Sequence, residues 1–166
     1  METIHVHDKM QQNYSYKLTQ PMWENFDPEF QPHLTPKQML EIWVFWWKYM
    51  TDCQDEFPVD RWENAKLSPF KKNPKINFFG VDASLSLKYW QEKWRIYHED
   101  PRGWFQRYCR YYMWRRCPDD TRQIKRRKAI KRHWMALVKN CHSMDRDCRT
   151  KQRQALLHRA YDSRKI

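Results

Sequence analysis

The segment DPRGWFQRYCRYYMWRR, residues 100–116, interleaves arginines with aromatic side chains. Guanidinium groups bind phosphate and aromatic rings stack on unpaired bases, so this mixture is typical of nucleic-acid recognition. Asp100 is a good helix N-cap and Pro101 suits the first helical position, which predicts a helix that presents these side chains. The alternative is that the aromatic residues, taken singly, belong to the core.

Basic residues continue beyond this helix, and charge is divided unevenly along the chain. Residues 101–166 hold 20 Lys and Arg against 5 Asp and Glu, whereas residues 1–100 hold 12 against 15. With a formal charge of +12, an anionic partner is expected, and nucleic acid, either DNA or RNA, is the favoured one. The predicted nucleic-acid contacts are Arg102, Arg110, Arg115, Arg116, Lys125, Arg126, Lys131, Arg132, Arg149 and Arg153. A merely basic, solvated surface is the alternative.

A second chemistry is possible at Asp52, Asp55 and Glu56, which lie in KYMTDCQDEFP. Closely spaced carboxylates can hold Mg²⁺ or act as general bases, so the alternative function is a nucleic-acid-processing enzyme, of nuclease or base-processing type. The same carboxylates could instead cap helices or pair with the basic ones. A third possibility is a basic interaction module that docks on an acidic protein partner.

The five cysteines favour neither a disulfide framework nor a metal site. Their number is odd and the N-terminus lacks an apolar signal segment, so we expect reduced thiols in the cytoplasm. Neither the Cys109 and Cys117 pair nor the Cys141 and Cys148 pair has the C-x2-C spacing of zinc sites. We therefore predict no cofactor, with zinc disfavoured and Mg²⁺ expected only for the enzyme alternative.

The pattern of the chain predicts a small, single-domain, mainly α protein with a loop-rich N-terminal half. Residues 1–30 are polar and are predicted to be a flexible arm, followed by one helical domain over residues 31–166. Thr35 and Gln38 form a capping box, which predicts a helix start. No run of about 18 apolar residues occurs, so no membrane span is expected.

Three further helices are expected after residue 80. The first can be capped by Asp82 or Ser84, the second covers Asp120–Cys141, and the third covers TKQRQALLHRAYD near the C-terminus. In the second helix apolar residues recur at helical spacing, and Arg127 occupies the N-terminal end of this apolar stripe. An aromatic residue would fit better at that position. After the first helix, Trp94 occupies a position where glycine is usual.

Several motifs resemble those of a family of small cytosolic proteins with no assigned activity. They are EDPRGWFQRYCRYYMWRR, RQIKRRKAIKRH, CRTKQRQALLHRAYDSRKI and WVFWWKYMTDCQDEFP, and the resemblance runs from about residue 34 to the C-terminus. The chain departs from the family in two exchanges. The chain has tryptophan where the family has glycine at Trp43, Trp46, Trp47, Trp94 and Trp114. It has arginine where the family has tryptophan at Arg95, Arg107, Arg127 and Arg159, with Arg61 as a further candidate.

These departures suggest a bacterial gene with a variant genetic code, in which UGA encodes glycine and CGG or CGA encodes tryptophan. The chain has 2 glycines and 10 tryptophans, where about 12 glycines are usual for this length. If these residues are restored, the formal charge of +12 falls by as much as five and the chain remains basic. A genuinely tryptophan-rich variant is the alternative.

Restoration would also create a glycine-rich turn before Lys48, G-V-F-G-G-K-Y. Its backbone amides and the lysine could hold a phosphate. In the chain as written, we expect crowded or exposed indoles at Trp46, Trp47 and Trp94, and strained backbone at Trp94.

Overall fold

The computed structural model describes residues 1–69, 72–93 and 96–166. In chain order the elements are β1 (Glu2–Val6), β2 (Tyr14–Leu18), α1 (Pro36–Glu41), α2 (Leu87–Glu92), α3 (Trp104–Tyr112), α4 (Asp120–Asn140) and α5 (Thr150–Leu157). Short 3-10 turns occur at Gln54–Glu56, Val59–Arg61, Pro74–Ile76 and Ser163–Lys165. Helices of all kinds hold 38% and strands 6%, so the prediction of a mainly α protein is wrong and the fold is mixed and loop-rich.

β1 and β2 form an antiparallel hairpin, in which Glu2 pairs with Leu18 and Val6 with Tyr14. The sequence of β2 alternates Tyr14, Tyr16 and Leu18 with polar residues, so one face is apolar. Val6 and Tyr16 are buried on that face. Sequence analysis did not predict this hairpin, which lies in the segment taken as a flexible arm, because each strand is only five residues long.

Two helices agree well with the sequence prediction. α1 begins at the predicted capping box, where the Thr35 hydroxyl accepts from the Gln38 backbone N–H at 3.2 Å and the Gln38 side chain accepts from the Thr35 N–H at 2.9 Å. α4 is the longest helix, at 21 residues, and turns its predicted stripe inward, with Arg127 and Leu137 buried. None of the helices described, α4 included, is long and apolar enough to span a membrane.

Two other helices begin later than predicted. Ser86, rather than Asp82 or Ser84, caps α2, since its hydroxyl accepts the third backbone N–H of the helix at 3.2 Å. α3 begins at Trp104 rather than directly after Asp100, whose carboxylate is bound by buried arginines instead of capping the helix.

The core consists of two clusters. The larger one packs α1 and α3 together with the loops between them, and includes Phe30, Leu40, Phe45, Phe105 and Tyr108. The smaller one joins α4, α5 and the C-terminal residues through Leu137, Leu156, Tyr161 and Ile166. Burial of each such side chain stabilises the fold by about 1.5–3 kcal/mol, so these clusters supply the main attraction between the helices.

The indoles of Trp46 and Trp47 are close neighbours, with ring centroids 4.8 Å apart. Trp46 is fully buried and stacks on His158, but its Nε1 has no hydrogen-bond partner within the described part of the chain. Neither residue has a positive φ. These two indoles are therefore crowded rather than exposed, without backbone strain. Trp94 and Arg95 lie outside the described residues.

Cys141 and Cys148 form a disulfide, with Cα atoms 5.9 Å apart. The prediction of reduced thiols is wrong for this pair, because an odd cysteine count still allows one bridge and the turn after α4 brings the two residues together. Cys53, Cys109 and Cys117 are free thiols. Burial raises the pKa of Cys53 and of Cys109 to about 12, so neither is a thiolate near neutral pH.

Candidate nucleic-acid interface

The outer side of α4 is basic and exposed. It carries Lys125, Arg126, Lys131 and Arg132, which we call the α4 face. Within the described residues, Lys125, Lys131 and Arg132 have no ion pair with a carboxylate, and Asp120 is the only acidic residue of the helix. Lys125 and Arg132 lie two turns apart, about 10 Å along the helix axis, so they can contact separate phosphates.

Two neighbouring cations of α4 are ion-paired. Arg122 contacts Asp119 at 2.5 Å, and Lys128 pairs with Glu29. Arg122 and Lys128 are about half exposed, and pairs at such sites are worth about 0–1 kcal/mol. Lys125, Lys131 and Arg132 therefore keep their charge, while Lys128, which lies among them on α4, is partly neutralised.

Arg149 extends the α4 face. The side chain of Gln152 accepts from Arg149 Nη1 at 3.3 Å and lies 3.4 Å from Nδ1 of His133, an exposed residue of α4. The start of α5 therefore lies beside the middle of α4. Arg149 is exposed there, next to the predicted contacts on α4, and Lys151 is exposed close by.

Three predicted phosphate contacts are buried instead. Arg102, Arg110 and Arg115, which we call the arginine network, are 3%, 0% and 1% exposed. Arg102 contacts Asp8 at 2.9 and 3.1 Å and Asp52 at 2.9 Å. Because a buried guanidinium that already binds carboxylates cannot reach nucleic acid, assigning these three residues to the interface is wrong.

Carboxylates surround the rest of this network. Arg110 contacts Glu56 at 2.5 and 2.9 Å and Asp100 at 3.1 Å, and Arg115 binds Asp100 with two hydrogen bonds of 2.7 and 2.8 Å. Burial alone would lower the pKa of Arg110 and of Arg115, but the carboxylate partners outweigh it and raise both. The network therefore stays fully charged and is a structural element.

Arg153 and Arg116 are also turned towards the protein. Arg153 is fully buried and donates to four backbone carbonyls, including that of Ile166 at 3.0 Å, so its predicted phosphate contact is wrong. Arg116 is half-buried, with Cζ 3.7 Å from the ring centroid of Tyr111, and donates to the Tyr111 carbonyl at 2.8 Å. Arg116 is thus only partly available to a ligand.

The three candidate catalytic carboxylates lie in different surroundings. The Glu56 side chain is buried and accepts from the Tyr16 hydroxyl at 2.8 Å as well as from Arg110, while Asp52 binds Arg102. Asp55 is exposed. Among the described residues, no three acidic, cysteine or histidine side chains come close enough together to hold a metal. The carboxylates thus mainly complete the arginine network.

Lys48 is exposed on the turn after α1. The backbone carbonyls of Trp43 and Trp46 on this turn accept from Phe78 and Asn73 at 3.0 and 2.9 Å, so the turn is tied to the segment over residues 73–78. A phosphate contact at Lys48 stays a prediction.

A cavity of about 730 Å³ lies between α2, α3, α4 and α5. Its lining combines aromatic rings, such as Phe45 and Trp104, with the cations Arg107, Arg127 and Arg159. His158 also lines it, within hydrogen-bond distance of the Val44 carbonyl at 3.1 Å, and burial lowers the pKa of this histidine to about 3. The sequence does not indicate this cavity, because its walls come from distant segments.

The partners of the arginine network were not predicted from the sequence either. Asp8 and Gln11 belong to the turn of the hairpin, where they bind Arg102 and Arg110. The alternation in β2 was the one signal that could have indicated an ordered N-terminus. Nothing in the local sequence connects it with α3.

Compared with models of protein families, with curated proteins and with solved structures, the chain matches none. The family resemblance therefore stays a prediction from motifs. Function has to be inferred from geometry and charge.

Proposed function

We propose that the protein binds nucleic acid in the cytoplasm, through the α4 face and the adjoining Arg149. The observation that supports this function is the set of exposed cations on α4, three of which lack a carboxylate partner among the described residues. A fixed cationic surface of this kind attracts the phosphate backbone and is neutralised by it.

The binding mode we infer is contact with phosphates, not stacking on bases. Tyr108 and Tyr111 are buried in the core and Trp104 is half-buried, so the aromatic residues predicted to stack are occupied. The α4 face itself consists of lysines and arginines. We therefore expect binding with little sequence preference and with a strong dependence on salt.

The test is fluorescence anisotropy of labelled single- and double-stranded oligonucleotides over a series of salt concentrations. The variant Lys125→Gln, Lys131→Gln, Arg132→Gln should bind more weakly, and its slope of log K against log salt should fall by about three. The matched control, Lys17→Gln, Lys66→Gln, Lys75→Gln, removes the same charge from other exposed positions and should keep the slope.

An equal loss in both variants would show that only net charge matters and would contradict the proposed interface. If polyglutamate displaces the oligonucleotide completely and oligonucleotide binding does not depend on salt, the partner is an acidic protein instead. The compartment is tested separately by fractionating the source cells, since the protein should be recovered in the cytoplasmic fraction.

A further inference from the structure

Several arginines lie over aromatic rings, and four of them occupy positions where the sequence motifs suggest tryptophan. Arg61, Arg107 and Arg127 are 4%, 1% and 3% exposed, and Arg159 is partly buried. We call these four the ring arginines. Cζ of Arg127 lies 3.2 Å from the ring centroid of Trp104, and that of Arg159 lies 5.8 Å from the same ring. Arg61 and Arg107 lie over Phe57 and Tyr111, at 5.3 and 5.5 Å.

Three of these four arginines have a buried polar atom without a partner. Within the described part of the chain, Nε of Arg107, Nε of Arg127 and Nη1 of Arg61 have no hydrogen-bond partner. Arg107 does contact Asp120 at 2.7 Å, but the hydrogen bond found for Arg127 is to the backbone carbonyl of Arg159, at 3.0 Å. Buried cations without carboxylate partners are costly, whereas an aromatic side chain would suit the same surroundings.

Three tryptophans have the opposite problem, which lies in the backbone. Trp23, Trp43 and Trp114 have φ of 66°, 58° and 86°. A positive φ is uncommon for any residue with a side chain and a genuine outlier for a bulky one, whereas glycine adopts it freely.

Trp114 stands at the position where glycine ends a helix. After α3, its N–H donates to the carbonyl of Tyr111 at 3.0 Å, and the next N–H, of Arg115, donates to Arg110 at 2.8 Å. These two bonds define the Schellman motif, whose left-handed residue is usually glycine. Trp43 holds the equivalent position after α1, whose C-cap is Ile42.

We propose that the cell which makes this protein places tryptophan at positions 61, 107, 127 and 159, and glycine at positions 23, 43 and 114. The chain as written would then carry two systematic exchanges from a different genetic code. The geometry adds position 23, which sequence motifs did not indicate. It does not support glycine at Trp46 or Trp47, which have ordinary φ.

The cavity gains an explanation from the same exchanges. Three ring arginines, Arg107, Arg127 and Arg159, line it beside Trp104. Indoles are bulkier and more rigid than arginine side chains, so three of them would fill part of this space and extend the aromatic core. The proposed nucleic-acid binding does not depend on this inference, because no residue of the α4 face is among the seven positions.

The direct test is tandem mass spectrometry of peptides from the protein purified from its source cells, together with the codons of the gene. We expect glycine at 23, 43 and 114 and tryptophan at 61, 107, 127 and 159, with UGA and CGG or CGA as the respective codons. Peptides with tryptophan and arginine at these positions, or UGG codons for Trp23, Trp43 and Trp114, would overturn the proposal.

A second test needs only synthetic genes in a host with the standard code. The chain with all seven exchanges should unfold with an equilibrium constant at least about a hundredfold below that of the chain as written. The control makes the same exchanges elsewhere: Trp62→Gly, Trp90→Gly, Trp104→Gly, Arg102→Trp, Arg110→Trp, Arg115→Trp and Arg153→Trp. It should lose the cooperative transition. A seven-exchange chain that is less stable than the written one would count against the proposal.

Discussion

The arginine network and the ring arginines bury the same side chain in two different ways. In the network, Arg102, Arg110 and Arg115 bind carboxylates from the hairpin and from the loops before α3. Among the ring arginines, the hydrogen bond described for Arg127 goes to a backbone carbonyl. The difference teaches that a buried guanidinium is stable where distant segments supply negative charge, as at Arg115, and misplaced where they supply only rings and a carbonyl, as at Arg127.

Protonation follows the same division. The pKa of Arg115 is raised, since the charge of Asp100 outweighs burial. The pKa of Arg127 is lowered, because burial is reinforced by repulsion from Arg159 and Arg107, and burial lowers the pKa of Arg159 to about 10. Substitutions at Arg115 and at Arg127 should therefore have opposite effects on stability.

The largest expected effect is in the network. Arg110→Met leaves the buried carboxylates of Glu56 and Asp100 short of a partner, and should lower the free energy of unfolding by about 3–5 kcal/mol. Urea denaturation followed by circular dichroism measures this change. The control Lys17→Met, on the exposed side of β2, should stay within about 0.5 kcal/mol. A loss below about 1 kcal/mol for Arg110→Met would contradict a structural role of the network.

The next effect separates the two sets directly. Arg127→Trp should raise the free energy of unfolding by about 1–3 kcal/mol, because it removes a buried cation and adds an indole beside Trp104. Arg115→Trp should lower it, since Asp100 loses its bidentate partner. If both variants are destabilised to the same degree in urea, the distinction between the sets fails.

Acid should act first on the region around the ring arginines. Burial lowers the pKa of His158 to about 3, while in the unfolded chain it is about 6.5. Between these values the unfolded state binds more protons, so the unfolding free energy falls as pH falls, by up to about 1.4 kcal/mol per pH unit. His158→Gln should flatten this slope in urea titrations between about pH 7 and pH 4.

The network should respond only in stronger acid. Burial opposes ionisation of Asp8, but hydrogen bonds from Arg102 and two backbone N–H groups outweigh it and hold its pKa below 3.8. Its contribution is therefore present above about pH 4 and is lost as pH falls further. If the slope of the unfolding free energy against pH above pH 4 is unchanged in His158→Gln, groups other than His158 cause the loss of stability in that range.

The smallest expected effect concerns the backbone. Trp114→Gly should stabilise the protein by about 1 kcal/mol, because glycine relieves the positive φ after α3 and this gain exceeds the loss of a partly buried indole. Trp62→Gly is the control, since Trp62 has φ of −101° and packs on Phe57 without strain. Glycine there should destabilise. If Trp114→Gly and Trp62→Gly lower the thermal unfolding temperature equally, backbone strain at Trp114 is contradicted.

Local signals predicted local structure well. The capping box at Thr35 and the apolar stripe of α4 fixed two helices, because both depend on residues within one or two turns. The hairpin was missed because its strands are short and gain stability from α3. Asp100 was mistaken for a helix cap because its true partners, Arg110 and Arg115, act through the tertiary fold.

The candidate site could be predicted only where it depends on the local sequence. Lys125 and Arg132 follow from the helical period, which places them opposite the buried stripe, whereas Lys131, four residues after Arg127, borders it. Arg102, Arg110 and Arg153 have the same residue type, and composition does not tell which arginines meet carboxylates or carbonyls from elsewhere. The disulfide was missed because cysteine counts do not reveal pairing.

The hairpin also has a consequence for synthesis of the protein. Gln11 binds Arg110 across 99 positions of the chain, and Asp8 binds Arg102 across 94. A ribosome that adds about 5–20 residues per second releases the first strands about 5–20 s before their arginine partners. During that interval the hairpin has no surface to pack on, and two-stranded hairpins are marginal alone. The hairpin is therefore made well before the residues that fix its position.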